Sequence, residues 1–228
     1  MKEKNMEQTK TKKALIMSVL SMVLCIAMLI GMTFAWFTDT ASTGVNKIQT
    51  GNLDVKLMYS TDMQTWKEAT EQTKLFSDNA LWEPGYTQVV YLKVVNNGNL
   101  ALKYEAGFSK NYTSNRGKNV NGDWYRVDNY LKIGTAETKT AYGSREDVWS
   151  AIAATEKTLA KDVMLTNGWI TLNPKAESKP FAVVIYMPTS VGNEANASRL
   201  RPSSVSGLGI EVRATQETVE SDSFGTTY

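Results

Sequence analysis

Residues 82–105, WEPGYTQVVYLKVVNNGNLALKYE, carry the pattern that sets the fold class. Val90, Leu92 and Val94 recur at every second position, and Leu100, Leu102, Tyr104 and Phe108 fall on one face of the stretch that follows. Period two belongs to a strand with one buried face. Asn96-Asn97-Gly98-Asn99 lies between the two runs, and an Asn-Gly pair in that position predicts a β-hairpin. Just upstream, Glu83-Pro84-Gly85 predicts a type II turn, with proline presetting φ and glycine taking the positive φ the turn requires.

The same periodicity extends in both directions. Leu53, Val55 and Leu57 predict an opening strand, Ser60-Thr61-Asp62 a turn, and Met63 to Trp66 a short return. Residues 111–123, rich in Asn, Gly and Lys, read as one long surface loop, with a short strand after it at Leu131 and Ile133. Ser144-Arg145-Glu146-Asp147 has the form of a capping box. Val148, Ile152 and Thr155, with Trp149 beside them, then predict a helix of about three turns. Trp169 to Leu172 reads as a strand. Phe181 to Met187 is apolar without a break, as in a strand covered on both faces. Residues 192–206 read as loop, and Leu208, Ile210, Val212 and Ala214 as a last strand. About eight strands and one helix predict a mainly β domain, an antiparallel β-sandwich of jelly-roll type with a short helical insertion.

The domain is preceded by an address. Lys2, Lys4, Lys10, Lys12 and Lys13 outnumber Glu3 and Glu7, and an apolar run follows from Ala14 to Gly31. That is the form of a signal-peptide helix for Sec export. The run just reaches the lower limit of about 17 residues for crossing a bilayer, so a membrane anchor is the competing reading. Thr33 and Ala35 supply the small residues of a cut site with Trp36 as the new amino terminus, which favours processing and secretion. The division expected is 1–35 signal peptide, 36–50 donor strand or linker, and 51–228 β-sandwich.

Composition excludes several chemistries. The whole chain has a formal net charge of +2, and the lysine excess lies in the leader. The body is therefore close to neutral, which argues against a nucleic-acid partner. The single cysteine, Cys25, sits inside the apolar run, so the body can form no disulfide; it also lacks the small preceding residue that a lipidation site needs. An exported body without cysteine fits a Gram-positive source. There is no histidine, which removes both the His-Glu-x-x-His zinc motif and a Ser-His-Asp triad. Only oxygen ligands remain. Glu217, Glu220 and Asp222, with Asp39 and Asp54 as distant partners, are weak candidates for a calcium-type ion, and they match no calcium-loop spacing. No cofactor is expected. Six tryptophans and ten tyrosines are enough for a glycan-binding face, and Trp66, Trp82, Trp124 and Tyr125 fall near expected turns. Aromatic residues of a sandwich more often fill its core.

Three pieces together resemble the TasA/camelysin family of secreted Gram-positive proteins. They are the junction TFAWFTD followed by GNLDVKL, the stretch at 82–105, and the ending VRATQETVESDSFG. The resemblance implies removal of the signal by a SipW-type signal peptidase and assembly into extracellular biofilm-matrix fibres. It also implies a homopolymer as the partner, with an accessory matrix protein possible. In the family's fibres the stretch released by cleavage is donated as a strand to the next subunit. Here that stretch holds Trp36, Phe37, Val45 and Ile48, separated by the small polar run from Thr38 to Gly44; an intramolecular first strand, or a plain linker, is the competing reading. The family name also carries a metallo-endopeptidase activity, which the absence of histidine disfavours. A cell-surface glycan-binding adhesin is the third reading.

Overall fold

A computed structural model describes residues 17–23, 38–42, 53–77, 80–109 and 111–217. The chain forms two compact units, Met1–Phe37 and Thr38–Tyr228. In the first unit, residues 17–23 form an exposed helix, α1, compatible with the signal-peptide helix. Among the described residues no helix is long and apolar enough to cross a membrane.

The second unit is mainly β and antiparallel throughout. One sheet has four strands: β1 (Thr38–Ser42), β5 (Leu102–Phe108), β11 (Ile170–Leu172) and β14 (Ile210–Gln216), ordered β1-β14-β5-β11. The other has six: β2 (Val55–Ser60), β3 (Lys67–Glu68), β4 (Thr87–Asn96), β9 (Lys132–Glu137), β10 (Lys157–Thr158) and β12 (Phe181–Tyr186). Their order is β10-β9-β12-β4-β2-β3. Two small sheets lie outside these, β6 (Thr113–Ser114) with β13 (Val205–Ser206), and β7 (Gly117–Lys118) with β8 (Trp124–Tyr125). The antiparallel two-sheet architecture agrees with the sequence. The finer jelly-roll ordering does not follow from this strand order, in which β2 and β4 lie side by side in one sheet.

Every residue of β12 is buried, because both of its faces are covered. Ala182, Val184 and Tyr186 pack with Tyr91 against Val148 and Ile152 of the helix α2 (Arg145–Ile152). On the other face, Phe181 lies opposite Leu92, Val183 opposite Val90, and Ile185 opposite Ile133. This second apolar layer belongs to the interior shared with Leu102, Tyr104, Ala106, Ile210, Val212 and Ala214 of the four-stranded sheet, all buried. Tyr104 and Phe181, one from each sheet, line a common cleft of about 510 Å³. Burying a Leu, Ile or Val side chain stabilises a fold by about 1.5–3 kcal/mol, so these alternating positions dominate the folding free energy.

The helix begins as the sequence predicts. Ser144 is its N-cap, accepting a hydrogen bond from Asp147 N–H at 3.1 Å and donating one from its hydroxyl to Asp147 Oδ2 at 2.7 Å. It spans 8 residues, about two turns rather than three. Thr155 lies beyond it, where its hydroxyl donates to Thr135 O at 2.6 Å and accepts from Thr135 N–H at 2.9 Å, competing with a further helical turn. Close approach of α2 depends on Gly134 in β9. A Cβ there would lie 2.6 Å from Cβ of Ile152, so only glycine lets the helix seat on the sheet.

The expected hairpin at 96–99 is a correction. β4 pairs with β2 and β12, whereas β5 pairs with β14 and β11, so Asn96 to Asn99 carries the chain from one sheet to the other. Gly98 is not among the positive-φ glycines, which are Gly85, Gly122, Gly168 and Gly207. The two-residue turn that makes Asn-Gly a hairpin signal is therefore not formed. Instead the Asn96 side chain is fully buried and binds four backbone groups. Its amide donates to the carbonyls of Leu100 at 2.8 Å, Leu172 at 3.2 Å and Asn173 at 3.0 Å, and its oxygen accepts from Gly98 N–H at 3.0 Å.

Three smaller expectations also shift. The return strand after β2 is β3 at Lys67–Glu68 rather than residues 63–66. Ser60 and Asp62 side chains accept from four backbone N–H groups between Asp62 and Thr65 and prolong the turn. Residues 111–123 and 192–206 are not plain loops, since they supply β6, β7 and β13. The turn at 83–86 is as predicted, with Gly85 at φ 87° and Tyr86 N–H donating to Glu83 O at 2.9 Å.

Candidate functional site

The feature best placed to act on another molecule is the edge of the four-stranded sheet. β14 alternates buried Ile210, Val212 and Ala214 with half-buried Glu211, Arg213 and Thr215. One side of the strand is fixed by β5 along its whole length, from Ile210 opposite Phe108 to Gln216 opposite Leu102. Arg213 ties the half-buried face together, its Nε 3.1 Å from Glu211 Oε1 and its Nη1 3.7 Å from Glu105 Oε1. The hydrogen bond that Arg213 donates to Glu211 stabilises the guanidinium and raises its already high pKa. The other side of β14 is taken by β1, antiparallel, from Thr38 opposite Thr215 to Ser42 opposite Glu211. β1 has no second neighbour in the sheet order.

The residues proposed from sequence fall around this strand rather than in it. Trp36, Phe37, Val45 and Ile48 lie outside the described residues, as do Thr33 and Ala35 of the cut site. The stretch from Thr38 to Gly44 reads as a polar separator in the sequence, yet five of its residues form the strand. An edge strand is held by main-chain N–H and C=O groups, so it needs no apolar period and leaves no hydrophobic signature. The threonines at 38 and 40 are the only local hint of β structure.

The model of the camelysin metallo-endopeptidase family matches residues 10–124, just over half of the chain, from the amino-terminal apolar run through β1, β2, β4 and β5. The chain belongs to the camelysin family. No curated protein and no solved structure matches it.

The metal that the name camelysin metallo-endopeptidase implies does not fit the side chains present. The sequence contains no histidine, and its one cysteine, Cys25, lies in the amino-terminal apolar run, so a nitrogen- or sulfur-ligated zinc centre cannot be assembled in the domain. Among the described residues no three carboxylates gather into a group able to hold a metal ion. Of the weak oxygen-ligand set, Glu217 accepts from the Thr171 hydroxyl at 3.1 Å, and Asp54 accepts from Asn97 Nδ2 at 2.5 Å. Glu220 and Asp222 lie outside the described residues.

The four aromatic residues proposed as a glycan platform are not brought together. Trp66 packs against the cluster under α2 and lies beneath Lys93, whose Nζ is 4.8 Å from the ring centre. Trp82 meets Tyr86 edge to face at 5.1 Å, and Tyr125 is buried. Trp124 alone of the four stays exposed, on β8.

Proposed function

We propose that this camelysin-family chain is an exported structural subunit that polymerises into extracellular fibres by passing its amino-terminal strand to the next copy. The observation that carries the reading is β1 itself, an edge strand whose one partner within its sheet is β14. Whatever segment adopts this register on β14 satisfies the same N–H and C=O groups, whether it comes from the same chain or from a second one. In a lone molecule β1 closes its own edge. At high concentration, exchange of β1 between copies gives a heterologous contact that repeats from subunit to subunit and builds a filament. Trp36 and Phe37 directly precede the strand and add apolar anchors once the leader is cut after Ala35. Cleavage is then the switch, because a leader held in the membrane keeps β1 from reaching a neighbour. On this reading the protein is not an enzyme, in keeping with a side-chain inventory that cannot build a zinc-peptidase centre.

The test compares two chains by electron microscopy and size exclusion, one beginning at Trp36 and one at Gly51. The first is expected to form fibres and the second to remain a folded monomer. Two monomers at high concentration would leave strand transfer without support. Casein incubated with the longer chain is expected to stay intact with or without a chelator; chelator-sensitive cleavage would restore the peptidase reading.

A further inference from the structure

A separate feature, independent of strand exchange, lies on the β7–β8 hairpin and the loop that crosses it. The loop is locked to the hairpin by backbone bonds. Lys118 N–H donates to Arg201 O at 2.8 Å, and Ser198 N–H donates to Lys118 O at 2.8 Å. Ser203 sits so close to Gly117 that a Cβ on the glycine would lie 2.4 Å from the Ser203 nitrogen. The Ser203 hydroxyl donates to Asn115 O at 2.8 Å and accepts from Val127 N–H at 2.8 Å. This framework presents Trp124, 49% exposed, to solvent.

Three cations from two segments, Arg116 and Lys118 at β7 and Arg201 on the crossing loop, converge on that indole. Arg116 Cζ is 5.3 Å from the ring centre, Lys118 Nζ 5.2 Å and Arg201 Cζ 5.6 Å. None of the three makes an ion pair with a described carboxylate, although lysines and arginines elsewhere in the domain do. Three like charges gathered on one ring repel each other, and the ring quadrupole offsets only part of this. The cluster is a local concentration of positive charge with no ion-paired carboxylate among the described residues, even though the body as a whole is close to neutral.

We propose that this cluster is a binding site for an acidic polysaccharide, with sugar carboxylates as the recognised groups. Arginine presents a planar fork that matches a carboxylate, and Lys118 adds a point charge beside it. The ring holds the cations in place before binding, which lowers the ordering cost of the site. With three cations gathered on the half-exposed indole, recognition is of charge as much as of stacking. Around it, Asn121, Asn196, Ser198 and Arg199 supply groups suited to sugar hydroxyls, while a lipid surface would find only Val120 and Leu200 to insert beside Trp124.

The test uses the full chain, purified in mild detergent, against immobilised polygalacturonate, with neutral dextran, a DNA duplex and phosphatidylglycerol-coated beads as the other arms. Binding to polygalacturonate, weakened by added salt and negligible on dextran, is expected. The triple variant Arg116→Glu, Lys118→Glu, Arg201→Glu should weaken it at least about tenfold, and Trp124→Ala should weaken it less. An unchanged circular dichroism spectrum and unfolding midpoint would show that the variants remain folded. Should the triple variant unfold, Arg201→Gln alone takes its place, with a smaller loss expected. The proposal is overturned if the wild-type chain binds polygalacturonate no better than dextran, or if a folded variant binds it as well as the wild type. It is also overturned if binding to DNA or lipid is the more sensitive to these substitutions, which would assign the cluster to that polyanion instead.

Discussion

A chain beginning at Trp36 with Asp39 and Thr40 both replaced by proline forms no fibres yet folds as a monomer. Proline has no N–H and a fixed φ, so it blocks strand addition wherever the missing donor faces the partner. In an antiparallel pair, consecutive residues point their backbone groups alternately toward and away from the neighbour. Asp39 lies opposite Ala214 and Thr40 opposite Arg213, so one of the two prolines must remove a donor aimed at β14. The loss is local, because β14 stays paired with β5 over its full length and Ile210, Val212 and Ala214 remain in the core. Each edge hydrogen bond contributes roughly 0.5–1.5 kcal/mol, too little to unfold the domain but enough, when several are lost at every junction, to stop a filament. Negative-stain microscopy reads the fibres, and circular dichroism reads the fold. Fibres that persist in a folded double variant would show that assembly uses some surface other than the β1 register.

How much of this could be read from the chain depends on whether the signal was local. β2 and β14 follow directly from apolar periodicity and β12 from an unbroken apolar run, because burial of side chains writes itself into the sequence. The turn at Glu83-Pro84-Gly85 and the Ser144 cap are equally local, each set by one or two residues. What failed was set by partners far away. Asn96-Asn97-Gly98 carries every local mark of a hairpin, but its geometry is fixed by the carbonyls of Leu172 and Asn173 and by Ala176 O, which accepts from Asn96 N–H at 2.9 Å. β6 is invisible in the run 111–123 because its partner β13 lies at 205–206, and β7, though paired with the nearby β8, is a two-residue Gly-Lys strand with no apolar alternation. β1 enters only as the competing reading of an intramolecular first strand, because main-chain pairing at an edge places no demand on side-chain type. The charge cluster on Trp124 was diluted in the same way. Arg116, Lys118 and Arg201 look unremarkable in a near-neutral body until folding sets them on one ring.

Replacing Asn96 is expected to cost more stability than any other single change at a polar position in the domain. Asn96→Ala strips partners from three carbonyls and from Gly98 N–H at a position with no exposure. Buried polar groups left without partners cost about 1–3 kcal/mol each. Water can reach the part-buried carbonyls of Leu100 and Asn173, so the expected loss is about 3–5 kcal/mol rather than the full sum. For a domain of this size that lowers the unfolding midpoint by about 6–20 °C. Asn96→Asp separates the cause from mere volume, since it keeps the shape and the acceptor for Gly98 but turns the donor side into an oxygen facing three carbonyls. Burial and those carbonyls raise the new carboxyl's pKa above the ordinary value of about 3.9. The sign then follows: below the unfolded pKa the acid is protonated in both states and can restore one donor. As pH rises through the shifted folded value, that contribution is lost. Asn96→Asp should therefore be closest to wild type in acid and lose stability toward neutral pH, while Asn96→Ala adds no pH dependence of its own. Urea titrations of the two variants and the wild type at several pH values measure both effects. A midpoint for Asn96→Ala within 2 °C or so of wild type would mean that the crossover is held by the bracing of Asn97 on Asp54 instead.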